Sequence, residues 1–193
     1  DLIDIKGMQS IYAQRRSEFW VALITVLMVV FVGVEQGIIL AIVLSLIDHT
    51  RRGYRPKNVV LVPAESGVMC AQPVATRAQA APGLLIYRFT HSMYYANAEQ
   101  LTEEITDLVN HSDPPLRWLC LDASAVDDVD YSAAATLRSL FGVLKEKGIH
   151  LVVAQVLDDV REESRYNLRE LFGEDAFYDT LDDVVEDYRK QTE

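Results

Sequence analysis

Before a helical pattern the chain reads Val126-Asp127-Asp128-Val129-Asp130-Tyr131-Ser132-Ala133. Three carboxylates and two hydroxyls at the mouth of a helix allow four kinds of chemistry. Carboxylates clustered after a strand can hold Mg²⁺. Such sites draw acids from two strand ends. Asp122 lies in the preceding strand, but no second acidic strand end and no lysine partner stands nearby. A nucleotide is the second option, because a helix N-terminus attracts phosphate. No glycine-rich loop supports it, and Asp127, Asp128 and Asp130 oppose it. The third is phosphorylation of Ser132, which adds about −1.5 to −2 charge. The helix dipole favours that charge and the three aspartates repel it. The fourth is architectural: Asp130 or Ser132 caps the helix, and the other acids are solvated or face a protein partner.

A second feature is Tyr94-Tyr95-Ala96-Asn97. It reads either as a contact surface or as aromatics packed on a sheet with Asn97 starting a helix. His49, His91, His111 and His150 share no spacing, and no Ser-His-Asp order or nucleophile elbow occurs. The chain therefore reads as no enzyme, with no cofactor and no metal site.

The 193 residues suffice for one ordinary domain and something smaller. Asp1 stands where an initiator Met would be, so the chain reads as a piece of a longer one. The net charge of −11 is uneven: residues 1–56 hold six basic and five acidic side chains, residues 57–193 twelve and 24. The acidic second part argues against nucleic acid as a partner. Cys70 and Cys120 are the only cysteines, too few for a disulfide framework and without metal-ligand spacing, which fits a reducing compartment.

Residues 19–34 carry no charge, Glu35-Gln36-Gly37 interrupts them, and 38–47 is apolar again. One tilted helix over 19–47 would be about 43 Å long and would place Glu35 inside a bilayer. A hairpin turning at Glu35-Gln36-Gly37 has limbs of only about 23 Å, which need tilt, thinning or protein neighbours. Arg15 and Arg16 precede the run; Arg51, Arg52, Arg55 and Lys57 follow it. Basic residues on both flanks favour the hairpin, with both ends in the cytoplasm. Gly33, Gly37, Ala41 and Ser45 repeat every fourth residue, a small-residue stripe that suits membrane helix packing.

After the basic link 48–57 the pattern becomes α/β. Strands are expected at 58–62, 84–90, 117–123 and 149–156, with a loop over 63–83. Helices are expected from Asn97, with Gln100 completing a capping-box-like pair, and over 132–147, 159–172 and 180–190. Ala135, Leu137, Leu140, Phe141 and Leu144 form the inward face of the second of these helices. The alternation implies a mostly parallel sheet.

These stretches carry a resemblance. "SEFWVALITVLMVVFVGVEQGIILAIVLSL" resembles the final membrane helices of SulP-family anion transporters, relatives of the sulfate permeases. "LLIYRFTHSMYYANAEQLTEEI" and "LCLDASAVDDVDYSAAATLRSLFGVLKEKGIHLVVAQV" resemble their STAS domain. The implied layout is a cytoplasmic or interfacial lead-in over 1–18, a transmembrane hairpin over 19–47, a basic linker over 48–57 and a STAS domain over 58–193. The resemblance implies the C-terminal portion of a secondary transporter of sulfate-type inorganic anions. It would be a multi-pass protein of the cell (inner) membrane and a homodimer, its STAS domain in the cytoplasm for dimerisation or regulation. Its partners would be the lipid bilayer, an anion bound by helices absent from this chain, and a cytoplasmic protein at the STAS surface. The alternative is a membrane-tethered signalling module resembling anti-sigma factor antagonists. In those proteins the matching loop reads Asp-Ser-Ser/Thr-Gly, and the hydroxyl after the Asp takes phosphate. Here Tyr131 stands at that place, Ser132 follows it and Ala133 replaces the glycine. That departs from the switch pattern, and Asp127, Asp128, Asp130, Tyr131 and Ser132 remain a candidate regulatory or partner surface.

Overall fold

The computed structural model describes residues 12–13, 16–53, 56–156, 173 and 176–192. The chain divides into two compact units, Asp1–Gly53 and Tyr54–Glu193.

In the first unit, helix α1 (Arg16–Phe31) and helix α2 (Val34–Gly53) form a hairpin. The chain reverses at Val32-Gly33, not at the expected Glu35-Gln36-Gly37. The reason is local: Gly33 sits at φ 146°, open to a residue without Cβ, while Glu35 lies in the first turn of α2, where the helix dipole favours an acid. A Cβ on Gly37 would collide with the Val29 side chain, so the two helices are in close contact there. Ala41 and Ser45 face Ala22 and Thr25 across a shared groove farther along, which makes the pair antiparallel. Of the small-residue stripe, Gly37, Ala41 and Ser45 pack the hairpin, whereas Gly33 makes its turn. Trp20, Val30, Phe31, Ile38, Ile42 and Leu46 point outward, each more than half exposed. Among the described residues no helix is long and apolar enough to cross a membrane. α1 has 16 residues, about 24 Å, and the 20 residues of α2 end in the polar stretch Asp48–Gly53.

The second unit is a six-stranded sheet in the order β2-β1-β3-β4-β5-β6. Its strands are β1 (Val59–Pro63), β2 (Met69–Pro73), β3 (Leu84–Arg88), β4 (Trp118–Asp122), β5 (His150–Ala154) and β6 (Phe177–Tyr178). β1 runs antiparallel to β2 and β3; β3, β4, β5 and β6 are parallel. Helix α3 (Tyr95–His111) joins β3 to β4, helix α4 (Tyr131–Glu146) joins β4 to β5, and helix α5 (Leu181–Thr192) ends the described chain. Alternation along β4 sorts the two faces. Leu119 and Leu121 pack with Leu101, Ile105, Leu108, Leu137, Leu140 and Leu144 of α3 and α4. Trp118 and Cys120 pack with Leu181, Val184, Val185 and Tyr188 of α5. A strand covered on both faces is apolar throughout, which is why residues 117–123 are so readable.

The expected loop over 63–83 contains β2 and a short 3₁₀ turn, Val74–Thr76. β2 is an edge strand, mostly exposed, so no apolar run marks it. Ala135 is exposed and Phe141 half-buried; Ala133 and Ala134 take the inward places with Leu137, Leu140 and Leu144. The expected helix over 159–172 lies outside the described residues.

Gly83 shows how α5 is seated. Its φ is 87°, and an added Cβ would stand 2.5 Å from Tyr188 Oη, whose hydroxyl donates to the Pro82 carbonyl at 2.6 Å. Gly83→Ala is expected to cost about 2 kcal/mol through backbone strain and a displaced tyrosine. Urea unfolding of the detergent-held chain checks this; an unchanged midpoint would contradict it.

Candidate functional site

The loops that leave β3 and β4 meet at the carboxyl ends of the parallel strands. Phe89, Met93 and Val126 are buried in the core shared with α3 and α4, so each loop is anchored by an apolar side chain. The loops then pair through backbone: the Met93 N–H donates to the Asp128 carbonyl at 2.8 Å, and the Asp130 N–H to the Met93 carbonyl at 2.9 Å. That short parallel bridge brings the N-termini of α3 and α4 together.

Asp130 serves both helices. Its Oδ1 accepts the Ala133 N–H of its own helix at 2.7 Å. Its Oδ2 accepts the Tyr95 N–H at the start of α3 at 2.9 Å. One carboxylate thus satisfies an orphan donor on each of two helices. Of the two expected caps of α4, Asp130 is therefore the one used. Asp127 accepts a hydrogen bond from the Ser92 hydroxyl, stapling the loops a second time. Asp128 is exposed, its backbone carbonyl held by Met93. Ser132 is half-buried in the first turn of α4, and Tyr131 beside it is 69 % exposed.

Asn97 is buried in the first turn of α3 rather than at its start. Its Oδ1 accepts the Tyr94 N–H and its Nδ2 donates to the Ser92 carbonyl, both at 2.9 Å. The helix begins two residues before Asn97, and Asn97 reaches back in the way a capping-box side chain does. Tyr94 and Tyr95 are 38 % and 77 % exposed. Three tyrosines therefore ring a pair of helix ends whose polar groups are largely paired internally. Ser92 escaped the sequence reading, because nothing in "THSMYY" signals a partner 35 residues away.

Asp122 does not join this cluster. Strand alternation puts it on the α5 face, where its Oδ2 takes the Arg88 Nε at 2.6 Å and its Oδ1 the Ser124 N–H at 2.9 Å. Among the described residues no group of three or more acids, histidines or cysteines is arranged to hold a metal.

Residues 75–184 match the family described as "STAS domain". A probable sulfate transporter of Mycobacterium tuberculosis is 32 % identical over 98 % of this chain and 34 % of its own length. High affinity sulfate transporter 2 of Stylosanthes hamata is 26 % identical over the whole chain and 30 % of its own length. The chain thus spans about a third of the curated relatives it matches. In fold it is similar to the murine Solute Carrier 26 family member A9 anion transporter in the inward-facing state. The TM-score is 0.78 at 16 % identity, covering 94 % of this chain and 30 % of that one.

Proposed function

The chain belongs to the STAS-domain family as a SulP-type, STAS-containing protein, and from there we propose that it is the C-terminal portion of a secondary transporter of sulfate-type inorganic anions. One observation carries the reading. The similarity to sulfate transporters runs over 98 % of the chain, apolar hairpin and acidic domain alike. A free-standing signalling domain has no use for such a hairpin. Its outward Trp20, Phe31, Ile42 and Leu46 need an apolar surrounding, which a bilayer and neighbouring membrane helices provide. Neither limb need cross alone, because short helices are tolerated where protein surrounds them. The STAS domain then lies in the cytoplasm and regulates the transporter or dimerises it, offering Tyr94, Tyr95 and Tyr131 to a protein partner. The anion is bound by membrane helices other than this hairpin.

Uptake of labelled sulfate, bicarbonate and dicarboxylate by the full-length parent in liposomes tests this. The expected result is uptake of at least one anion, at a changed rate when residues 57–193 are removed. No uptake of any of the three by a correctly inserted protein would overturn the transport reading.

A further inference from the structure

Among the described residues, the hydrogen-bond donors to the Glu104 carboxylate of α3 are all neutral. Its Oε2 accepts the Tyr87 hydroxyl at 2.6 Å and Asn58 Nδ2 at 3.0 Å. Its Oε1 accepts Gln100 Nε2 at 2.6 Å. The same amide nitrogen donates to the Pro56 carbonyl at 3.0 Å. Both partners of that nitrogen are acceptors only, which fixes the orientation of Gln100: flipped, its oxygen would face two oxygens. Asn58, itself buried, uses its Oδ1 to accept the Thr90 N–H at 3.2 Å. Tyr87 is fully buried, and burial first, then the bond and charge of Glu104, push its phenol far up, so it stays a donor.

These bonds join two places along one helix. Pro56–Asn58 lead the chain into β1, and Thr90 lies two residues beyond the end of β3, just before the loop of Ser92 and Tyr94. The first residue of α3, Tyr95, is tied to Asp130. Five and nine residues later, Gln100 and Glu104 hold the lead-in. The N-terminal half of α3 is thus fastened to the tyrosine-ringed loops at one end and to the segment entering the domain at the other.

We propose that Gln100 and Glu104 form a latch that holds residues 56–58 against α3 and couples their release to the Tyr95–Asp130 contact, so that the two ends open together. The latch stands whatever the parent protein carries. It is a small hydrogen-bonded unit on α3, its Gln100 and Glu104 half-buried and its far side resting on the buried Asn58 and Tyr87. Coupling between two sites is reciprocal, so loosening either end must loosen the other by the same factor.

Amide hydrogen exchange on the full chain in detergent tests both directions. Thr90 reports the latch and Tyr95 the loop end; rates are read relative to Leu119 and Val152 in the central strands. Gln100→Ala removes the bonds to Pro56 and Glu104 while leaving the buried Tyr87–Glu104 bond. Asp130→Ser keeps a hydroxyl cap for α4 but cannot reach Tyr95. The expected result is that Gln100→Ala accelerates Tyr95 as well as Thr90, and Asp130→Ser accelerates Thr90 as well as Tyr95, each about fivefold, the low end of ordinary coupling. If each variant moves only the amide at its own end, or neither, the proposal falls. It falls equally if all four amides move together, because that is uniform destabilisation.

Discussion

Arg88→Ala is expected to lower the unfolding free energy of the second unit by about 3 kcal/mol, a large share of an ordinary domain's stability. The Asp122 carboxylate is fully buried, and among the described residues its donors are Arg88 Nε at 2.6 Å and the Ser124 N–H at 2.9 Å. Removing the guanidinium leaves a buried charge with one amide. Breaking such a pair costs roughly 3–5 kcal/mol; the low end applies because the Arg88 side chain is 33 % exposed and partly screened already. Removing both charges is a different experiment. Arg88→Met with Asp122→Leu is expected to recover most of the loss, because apolar side chains of similar volume avoid the desolvation of two ions. Guanidinium unfolding of the detergent-held chain, followed by the buried Trp118, measures both. A single variant within about 1 kcal/mol of the parent would mean that water reaches Asp122 and the pair is not sealed.

The contrast between Asp122 and Asp130 shows where sequence reasoning reaches and where it stops. The strand containing Asp122 was plain, because a run such as Trp118-Leu119-Cys120-Leu121 is what a sheet covered on both faces demands. Helix α4 was equally plain from Leu137, Leu140 and Leu144, and its cap was narrowed to Asp130 or Ser132. These are local signals. What stayed hidden were pairings across some 34 residues, which no spacing encodes: Arg88 with Asp122, Ser92 with Asp127, Tyr95 with Asp130. β2 was missed for a related reason, since an edge strand owes its place to a partner's backbone and not to its own side chains. In the hairpin, charge drew attention to Glu35, but backbone geometry decided the turn, and the residue able to take φ 146° was Gly33. The acidic loop does stand at the mouth of α4, with Asp130 as its cap. Several polar groups that looked free for a ligand are spent on joining two loops.

Asp130→Ala is the second large expected effect, again about 3 kcal/mol, and it decides what the acidic loop is for. Two helix N-termini each lose their carboxylate acceptor, and a lost cap costs about 0.5–2 kcal/mol. Asp130→Asn keeps one acceptor oxygen of the two and is expected to lose about half as much by the same accounting. That ordering, alanine worse than asparagine worse than parent, follows from counting accepted N–H bonds at 2.7 and 2.9 Å. A functional carboxylate would behave otherwise: asparagine would be as harmful as alanine in a partner-binding or transport assay while leaving stability nearly intact. Tyr131→Phe and Ser132→Ala complete the test, since both change groups at the helix mouth without touching the cap. Ser132→Ala is expected to shift the unfolding midpoint negligibly, within about 0.5 kcal/mol. If Ser132→Ala or Tyr131→Phe alters uptake by the full-length parent at unchanged stability, the exposed rim is the regulatory part. If only Asp130 matters, and in proportion to hydrogen bonds lost, the loop is architecture that holds Tyr94, Tyr95 and Tyr131 in place.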